Sequence, residues 1–246
     1  MSFPRFLCPD ELGVDDVDRE YALPDAVAHH ALRVLRLMTG DRVTLFTGTG
    51  GEFAATLLRT DKRGAVVRID SFDPVERESA LGVTLVQAIA ANDAMDHAVR
   101  RSVELGAAAI QPVLTARSAR MPDGERGEKR LAHWRQIAVS ACEQCGRNRV
   151  PRVHAVVMLE RWLASRSVAP GLVLSPDATM RIADLPQPRD ALDLLVGPEG
   201  GLAADEIALA ERAGMTAVRL GPRVLRTETA ALASLAAVNA TWGDFR

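Results

Sequence analysis

Hydrophobic positions change their spacing once along the chain. Up to about residue 75 they come in short runs, and Arg42–Thr47, Glu52–Leu58 and Ala65–Ile69 read as strands. Gly48-Thr49-Gly50-Gly51 and Asp61-Lys62-Arg63-Gly64 supply the turns between them. So short a meander suggests a small barrel. One helix accompanies it. Pro24-Asp25 opens that helix with a first-turn proline and acid, and Gly40 closes it. Val27, Ala31, Val34, Leu35 and Met38 share its apolar face, while His29, Arg33 and Arg36 fall on another with His30 beside them. The polar stretch Asp73–Ser79 reads as a linker. Beyond it, strands at Leu81–Ala88, Ala109–Leu114, Val153–Val157, Gly171–Leu174, Leu192–Val196 and Thr216–Leu220 alternate with helices near 93–105, 128–146, 203–213 and 228–241. Apolar strands alternating with helices mean a mostly parallel sheet covered on both faces. The expectation is a small β-rich domain over 1–75 and an α/β domain over 76–246.

Composition narrows the class. The 246 residues are 48% hydrophobic and 25% charged, which excludes a disordered tail or a coiled coil. The longest apolar runs are far shorter than the ~20 residues of a membrane span. Met1-Ser2-Phe3-Pro4-Arg5 lacks the basic-then-apolar order of a signal peptide, so a cytoplasmic location is expected. Net charge is −2, but it is uneven: residues 1–78 carry 10 basic and 14 acidic groups, whereas 117–152 carry nine and four. Only Lys62 and Lys129 are lysine; the rest are arginine, which can fork to phosphate and stack on bases. A genomic base-composition bias also accounts for such an excess. Cys142 and Cys145 form a C-x-x-C without the second ligand pair a metal site needs. They fall on a stripe with Leu131, Trp134, Ala138 and Ala141 and read as small buried hydrophobes, with no metal expected.

Ligands of open parallel sheets bind beyond the carboxyl ends of the strands. Two such ends are unusual. After Leu192–Val196 comes Gly197-Pro198-Glu199-Gly200-Gly201, a tight bend of bare backbone that can approach a flat ring or a ribose closely. An ordinary strand-to-helix turn is the competing reading. After Thr216–Leu220 comes Gly221-Pro222-Arg223-Val224-Leu225-Arg226-Thr227-Glu228-Thr229-Ala230, where Thr227 can cap the following helix and Glu228 sits well in its dipole. Capping does not explain two arginines in a loop just after a buried strand. No P-loop, G-x-S-x-G elbow or H-E-x-x-H is present, and Gly48-Thr49-Gly50-Gly51-Glu52-Phe53 is only a broken G-x-G-x-x-G in a hairpin.

The two glycine loops together resemble the C-terminal signature of the RsmE family, 16S ribosomal RNA uridine-N3 methyltransferases of the SPOUT superfamily. Pro4-Arg5-Phe6, His30-Ala31-Leu32-Arg33-Val34-Leu35-Arg36, Glu104-Leu105-Gly106, Arg117-Ser118, Glu143-Gln144 with Arg147 and Pro151, and Trp242-Gly243-Asp244 are similar to other family segments, so the resemblance covers the whole chain. Lysines usual in the family are missing from Ala91–Asp96 and near Arg100 and Arg101, so roles tied to them do not carry over.

The resemblance implies a PUA-like N-terminal barrel and a SPOUT-type parallel sheet with a C-terminal trefoil knot. It implies S-adenosylmethionine bound in the knot, a homodimer, and 16S rRNA, within a 30S subunit or late assembly intermediate, as partner. Leu174, Gly197, Glu199, Gly200, Gly201, Leu220, Gly221, Leu225, Arg226, Thr227, Thr229 and Ala230 are then the expected cofactor residues. Arg226 is the candidate to stabilise charge on the uracil oxygens and Glu228 the candidate base. Arg5, His30, Arg33 and Arg36 are the expected RNA contacts, with Arg117, Arg120, Arg147 and Arg149 a second candidate set. Action on another RNA such as tRNA, or a non-catalytic RNA-binding assembly factor, are the competing functions.

Overall fold

The chain passes three times between two units: residues 1–78 and 142–150 form the first, residues 79–141 and 151–246 the second. The computed structural model describes residues 3–9, 12–61, 64–166 and 169–245. A single cut near residue 75 anticipates one crossing. The return of 142–150 follows from side-chain pairing that local composition does not signal. Arg147 Nε donates to Glu78 (2.9 Å), Asn148 Nδ2 to the Val75 carbonyl (3.2 Å) and Arg149 Nε to Glu76 (2.6 Å).

In the first unit the strands are β1 (Arg5–Leu7), β2 (Glu20–Ala22), β3 (Arg42–Phe46), β4 (Glu52–Asp61) and β5 (Gly64–Asp73), in the sheet order β1-β3-β4-β5-β2. Only the β1–β3 pair is parallel. Lys62 and Arg63 of the predicted turn lie outside the described residues. Period-two alternation buries Val43 and Leu45, Phe53, Ala55 and Leu57, and Ala65, Val67 and Ile69 on one face. Register shifts between Ala54 and Ala55 and between Leu57 and Arg59 increase the local twist. β1 and β2 span three residues each, too short for periodicity to reveal.

The helix differs from its expectation. α1 (Asp25–His29) runs into a π turn over His30–Val34, closed by Leu35 N–H on the His30 carbonyl at 3.0 Å. The wider turn breaks the 3.6-residue period. Ala28 and Ala31 are buried, but Val34, Leu35 and Met38 are 61%, 42% and 70% exposed. Arg36, at φ +56°, takes the left-handed conformation, so the helix has ended before Gly40. Gly40 instead shapes the turn into β3, donating to the Leu57 carbonyl.

The second unit holds β6 (Gly82–Ala88), α2 (Asn92–Glu104), β7 (Ala109–Leu114), α3 (Gly124–Cys145, whose last turn belongs to the first unit), β8 (Arg152–Val153), β9 (Val157–Met158), α4 (Leu159–Ser165), β10 (Gly171–Leu174), β11 (Ala191–Val196), α5 (Ala204–Arg212), β12 (Met215–Val218) and α6 (Thr227–Thr241). Its seven-stranded sheet is parallel, ordered β12-β10-β11-β6-β7-β8, with β9 also on β7. The strand expected over Val153–Val157 is two fragments. Pro112 of β7 has no N–H to donate at the break, and Gln111 Nε2 bonds the Ala155 carbonyl instead, at 2.9 Å. α4 was not anticipated.

Both faces of the sheet are buried by alternate residues. Leu192, Leu194 and Val196 join Val83, Leu85, Ala231, Leu235 and Val238 on the side covered by α6. Leu195 joins Val86, Val173, Leu159, Leu163 and Ala210 on the side covered by α4 and α5. Asp193 also faces that second side; burial raises its carboxyl, and Arg166 answers it with hydrogen bonds at 3.0 and 3.2 Å. Gly243 lies against α6, where a Cβ would run into Asn239. In the first unit Cys142 is buried, and burial pushes its thiol up to about 12, which fits a small apolar group.

Candidate active site

The carboxyl ends of β10, β11 and β12 carry loops at 175–177, 197–203 and 219–226. They enclose a cavity of about 350 Å³, within the range of small-molecule sites. Leu174, Gly197, Glu199, Gly200, Gly201, Leu220, Gly221, Leu225, Thr227 and Ala230 line it, all of them expected from the sequence. Arg226, Glu228 and Thr229 do not. Arg226 and Thr229 are exposed, and Glu228 is half-buried in the first turn of α6.

Thr227 is not the helix cap. Arg226 takes that place, extended at φ −64° and ψ 154°, with no side-chain cap; its carbonyl accepts the Ala230 N–H at 2.8 Å. Thr227 is the first helical residue and is buried. Its hydroxyl donates to the Gly197 carbonyl (2.5 Å) and accepts from Gln87 Nε2 (3.0 Å). Three elements therefore meet at one oxygen: the end of β6, the loop after β11 and the start of α6.

The glycines differ in what they permit. A Cβ on Gly197 would stand 2.9 Å from the Leu202 nitrogen and 3.2 Å from the Gly201 carbonyl carbon, a clash with backbone. A Cβ on Gly200 would meet only the Arg117 side chain, at 3.3 Å. Gly201 and Gly221 have φ of +68° and +106°, conformations that disfavour a side chain.

Arg117 was not expected at this cavity. It follows β7, and its Nη1 donates to the Gly200 carbonyl at 2.9 Å. Its own loop is held by Glu206, a buried carboxylate in the first turn of α5. One Glu206 oxygen accepts the Ala116 N–H (2.7 Å), the other the Ala203 N–H (2.8 Å). Glu199 reaches away from the loop and accepts the Ala91 N–H at 2.8 Å, just before α2. The strand-end rule could have pointed to Arg117. No sequence signal marks Gln87.

The arginines assigned to RNA separate by environment. In the first unit Arg5 is built into the protein: it donates to Glu52 at 2.7 Å and to Asn148 Oδ1 at 2.5 Å. Burial acts to raise the Glu52 carboxyl, but Arg77 and Arg5 override it and hold it at about 2. His30 is half-buried, its ring edge-on to Phe6 at 5.7 Å. Arg33 and Arg36 are exposed and make no ion pair among the described residues. The second set divides between the units: Arg147 and Arg149 pair with Glu78 and Glu76 in the first, whereas Arg117 lines the cavity of the second.

A parallel α/β unit with a glycine-walled cavity beyond its strands, in one chain with a small β unit, fits a two-domain enzyme with a nucleotide-like ligand, and the family matches make it an RNA methyltransferase. The chain matches the RNA methyltransferase domain family over residues 77–239 and the RNA methyltransferase PUA domain family over residues 23–70. It belongs to the ribosomal RNA small subunit methyltransferase E family. The member from Mycobacterium tuberculosis is 38% identical, covering 85% of this chain and 82% of the relative. The member from Buchnera aphidicola of Acyrthosiphon pisum is 29% identical over 99% and 95%. Among solved structures, the family member from Neisseria gonorrhoeae bound to S-adenosylmethionine is 40% identical, with a TM-score of 0.92 over 99% of this chain and 100% of that one. A methyltransferase from Legionella pneumophila in complex with the same cofactor is 36% identical, with a TM-score of 0.94 over the whole of both chains.

The glycine geometry yields a contrast. Gly197→Ala forces the 197–203 loop to move, so amide hydrogen exchange should quicken there and at Thr227–Ala230. Gly200→Ala displaces only the Arg117 side chain and should leave the exchange pattern near wild type.

Proposed function

We propose that the protein transfers the methyl group of S-adenosylmethionine to N3 of a specific uridine in 16S ribosomal RNA. The observation that carries this is the glycine-walled cavity at the ends of β10, β11 and β12 in a chain of this family. The residues fit the cofactor. Gly197, Gly200 and Gly201 offer backbone without side chains to an adenine and ribose, Leu174, Leu220 and Leu225 give apolar walls, and Ser175 and Asp177 supply polar groups.

When bound, S-adenosylmethionine supplies an electrophilic methyl group. The chain's residues prepare the acceptor. Uridine N3 carries a proton and is a poor nucleophile until that proton leaves. Glu228, in the first turn of α6, is the base we assign to accept it. Arg226, at the cap next to cavity residues Leu225 and Thr227, stabilises the negative charge then spread over O2 and O4. Thr227 keeps Gly197 and the start of α6 in register, so donor and acceptor meet in line. Leu220, Leu225 and Ala230 exclude water from the cavity.

Three further assignments belong to the same reading. The loops around the cavity form a trefoil knot, supported by β12 pairing with β10 while α6 returns to cover β6 and β11. The enzyme works as a homodimer through the outer face of α6, where Leu232, Ala233 and Ala236 are half-buried and Ala240 is exposed. It acts in the cytoplasm on the 30S subunit or a late assembly intermediate; among the described residues no helix is long and apolar enough to cross a membrane.

Calorimetry should show S-adenosylmethionine binding, and mass mapping should find one N3-methyluridine after incubation with unmodified 30S subunits. Binding without transfer, or transfer only to tRNA, rejects the assignment. Light scattering at micromolar concentration should give a dimer mass; a monomer contradicts the α6 interface. Arg226→Ala should lower the single-turnover rate on the order of a hundredfold to a thousandfold at saturating RNA, with RNA affinity largely kept. Arg33→Ala with Arg36→Ala should do the reverse, weakening RNA binding and reducing the salt slope by about one to two units. A change in affinity alone from the first, or in rate alone from the second, would overturn the division of roles.

A further inference from the structure

The first unit contains a second cavity of about 660 Å³ that the methyl-transfer site does not use. Its walls combine two kinds of surface. Phe3 and Leu35 are large apolar side chains, each 42% exposed. Opposed to them in character are Arg5, Arg77, Glu143 and Gln144. The π turn and the left-handed Arg36 leave Leu35 on the surface and out of the helix's buried stripe.

The polar wall is rigid and chemically mixed. Glu52 clamps the guanidinia of Arg5 and Arg77, with contacts of 2.7 and 2.8 Å. The Arg5 side chain is only 10% exposed, and its Nε–H is buried with no hydrogen-bond partner, an unspent donor beside the cavity. One oxygen of Glu143 accepts the Leu7 N–H at 3.2 Å. Burial raises the Glu143 carboxyl above its usual range, with the Leu7 N–H acting the other way. The exposed Gln144 amide adds a donor and an acceptor.

Arg42 lies over the Phe3 ring at 4.6 Å, which leaves the other ring face and Leu35 as the apolar part of the cavity. An aromatic ring beside side-chain donors and acceptors is the chemistry that reads an unstacked nucleobase. A free anion would leave the apolar wall unused. Arg33 and Arg36, exposed and without ion pairs among the described residues, lie in the same segment as Leu35 and can take the flanking phosphates. We propose that this cavity of the first unit captures one unpaired base of the RNA substrate, stacked on Phe3 and Leu35 and held at its edge by Glu143 and Gln144. The inference rests on reading the chain as an RNA-directed enzyme. It concerns selection of single-stranded structure, separate from the uridine that is methylated.

The test uses the full chain and two labelled probes: a short single-stranded RNA and the same strand annealed to its complement. The wild-type protein should prefer the single strand. Phe3→Ala with Leu35→Ala, both at exposed positions, should weaken single-strand binding about five- to a hundred-and-fiftyfold, the range for losing one base stack, and leave duplex binding unchanged. Photocrosslinking of a 4-thiouridine-substituted single strand should label peptides containing residues 3–7, 35 or 143–146. Equal wild-type affinity for both probes, equal loss on both, no loss on either, or crosslinks confined elsewhere would each overturn the proposal. S-adenosylmethionine binding by the double variant should match wild type. Failure of cofactor binding in the wild type would count against the methyltransferase reading, while the two RNA probes still judge the cavity.

Discussion

The hydroxyl of Thr227 accepts from Gln87 and donates to the Gly197 carbonyl, and the geometry of the cavity depends on that arrangement. Gln87 belongs to a central strand, so its position is set by the sheet. Gly197 begins the bend after β11, where no Cβ can be accommodated. Thr227 starts the helix that covers the sheet through Ala231, Leu235 and Val238. A buried hydroxyl that satisfies an amide and a carbonyl together is expensive to replace, because each partner left unpaired costs about 1–3 kcal/mol. The loop and the helix are thereby held to the sheet at the same point.

A second layer of constraint surrounds the first. Glu206 joins the loop after β7 to the start of α5, and Arg117, one residue beyond that junction, closes on Gly200. Glu199 ties the same glycine bend to the residue before α2. Bare glycine backbone is flexible by nature. Here it is fixed by Thr227 and Arg117 from outside and by its own Glu199 reaching out to Ala91, which is how a glycine-rich loop can be both open to a ligand and preorganised.

The first unit relies on charge. Glu52 lies between Arg5 and Arg77, and Arg147 and Arg149 bind Glu78 and Glu76. With the Glu52 carboxyl held at about 2, its contribution to stability is complete above the usual carboxylate range and is lost as pH falls toward that value. These pairs use up arginines that composition alone would offer to RNA. Arg33, in the π turn, and Arg36, in a left-handed conformation after it, make no ion pair among the described residues.

The amino-acid sequence by itself determined the β-rich and α/β parts, the parallel character of the sheet, and the two loops of the cavity. These are legible because period-two burial and glycine bends are local properties: Leu192, Leu194 and Val196 announce their face wherever the strand lies, and Gly197 announces a bend. Only the tertiary structure decided which residues share the cavity wall. Arg117 reaches the wall from the loop after β7, and Gln87 of β6 holds the wall residue Thr227 from behind; both are distant in sequence and are brought in by strand order. The same holds for the return of 142–150 to the first unit, which depends on pairing with Glu76 and Glu78. Thr227 shows the division most clearly: its sequence position suggests a cap, but the neighbouring strand and loop supply partners that turn its hydroxyl inward, since a buried polar group takes the nearest partners the packed structure provides.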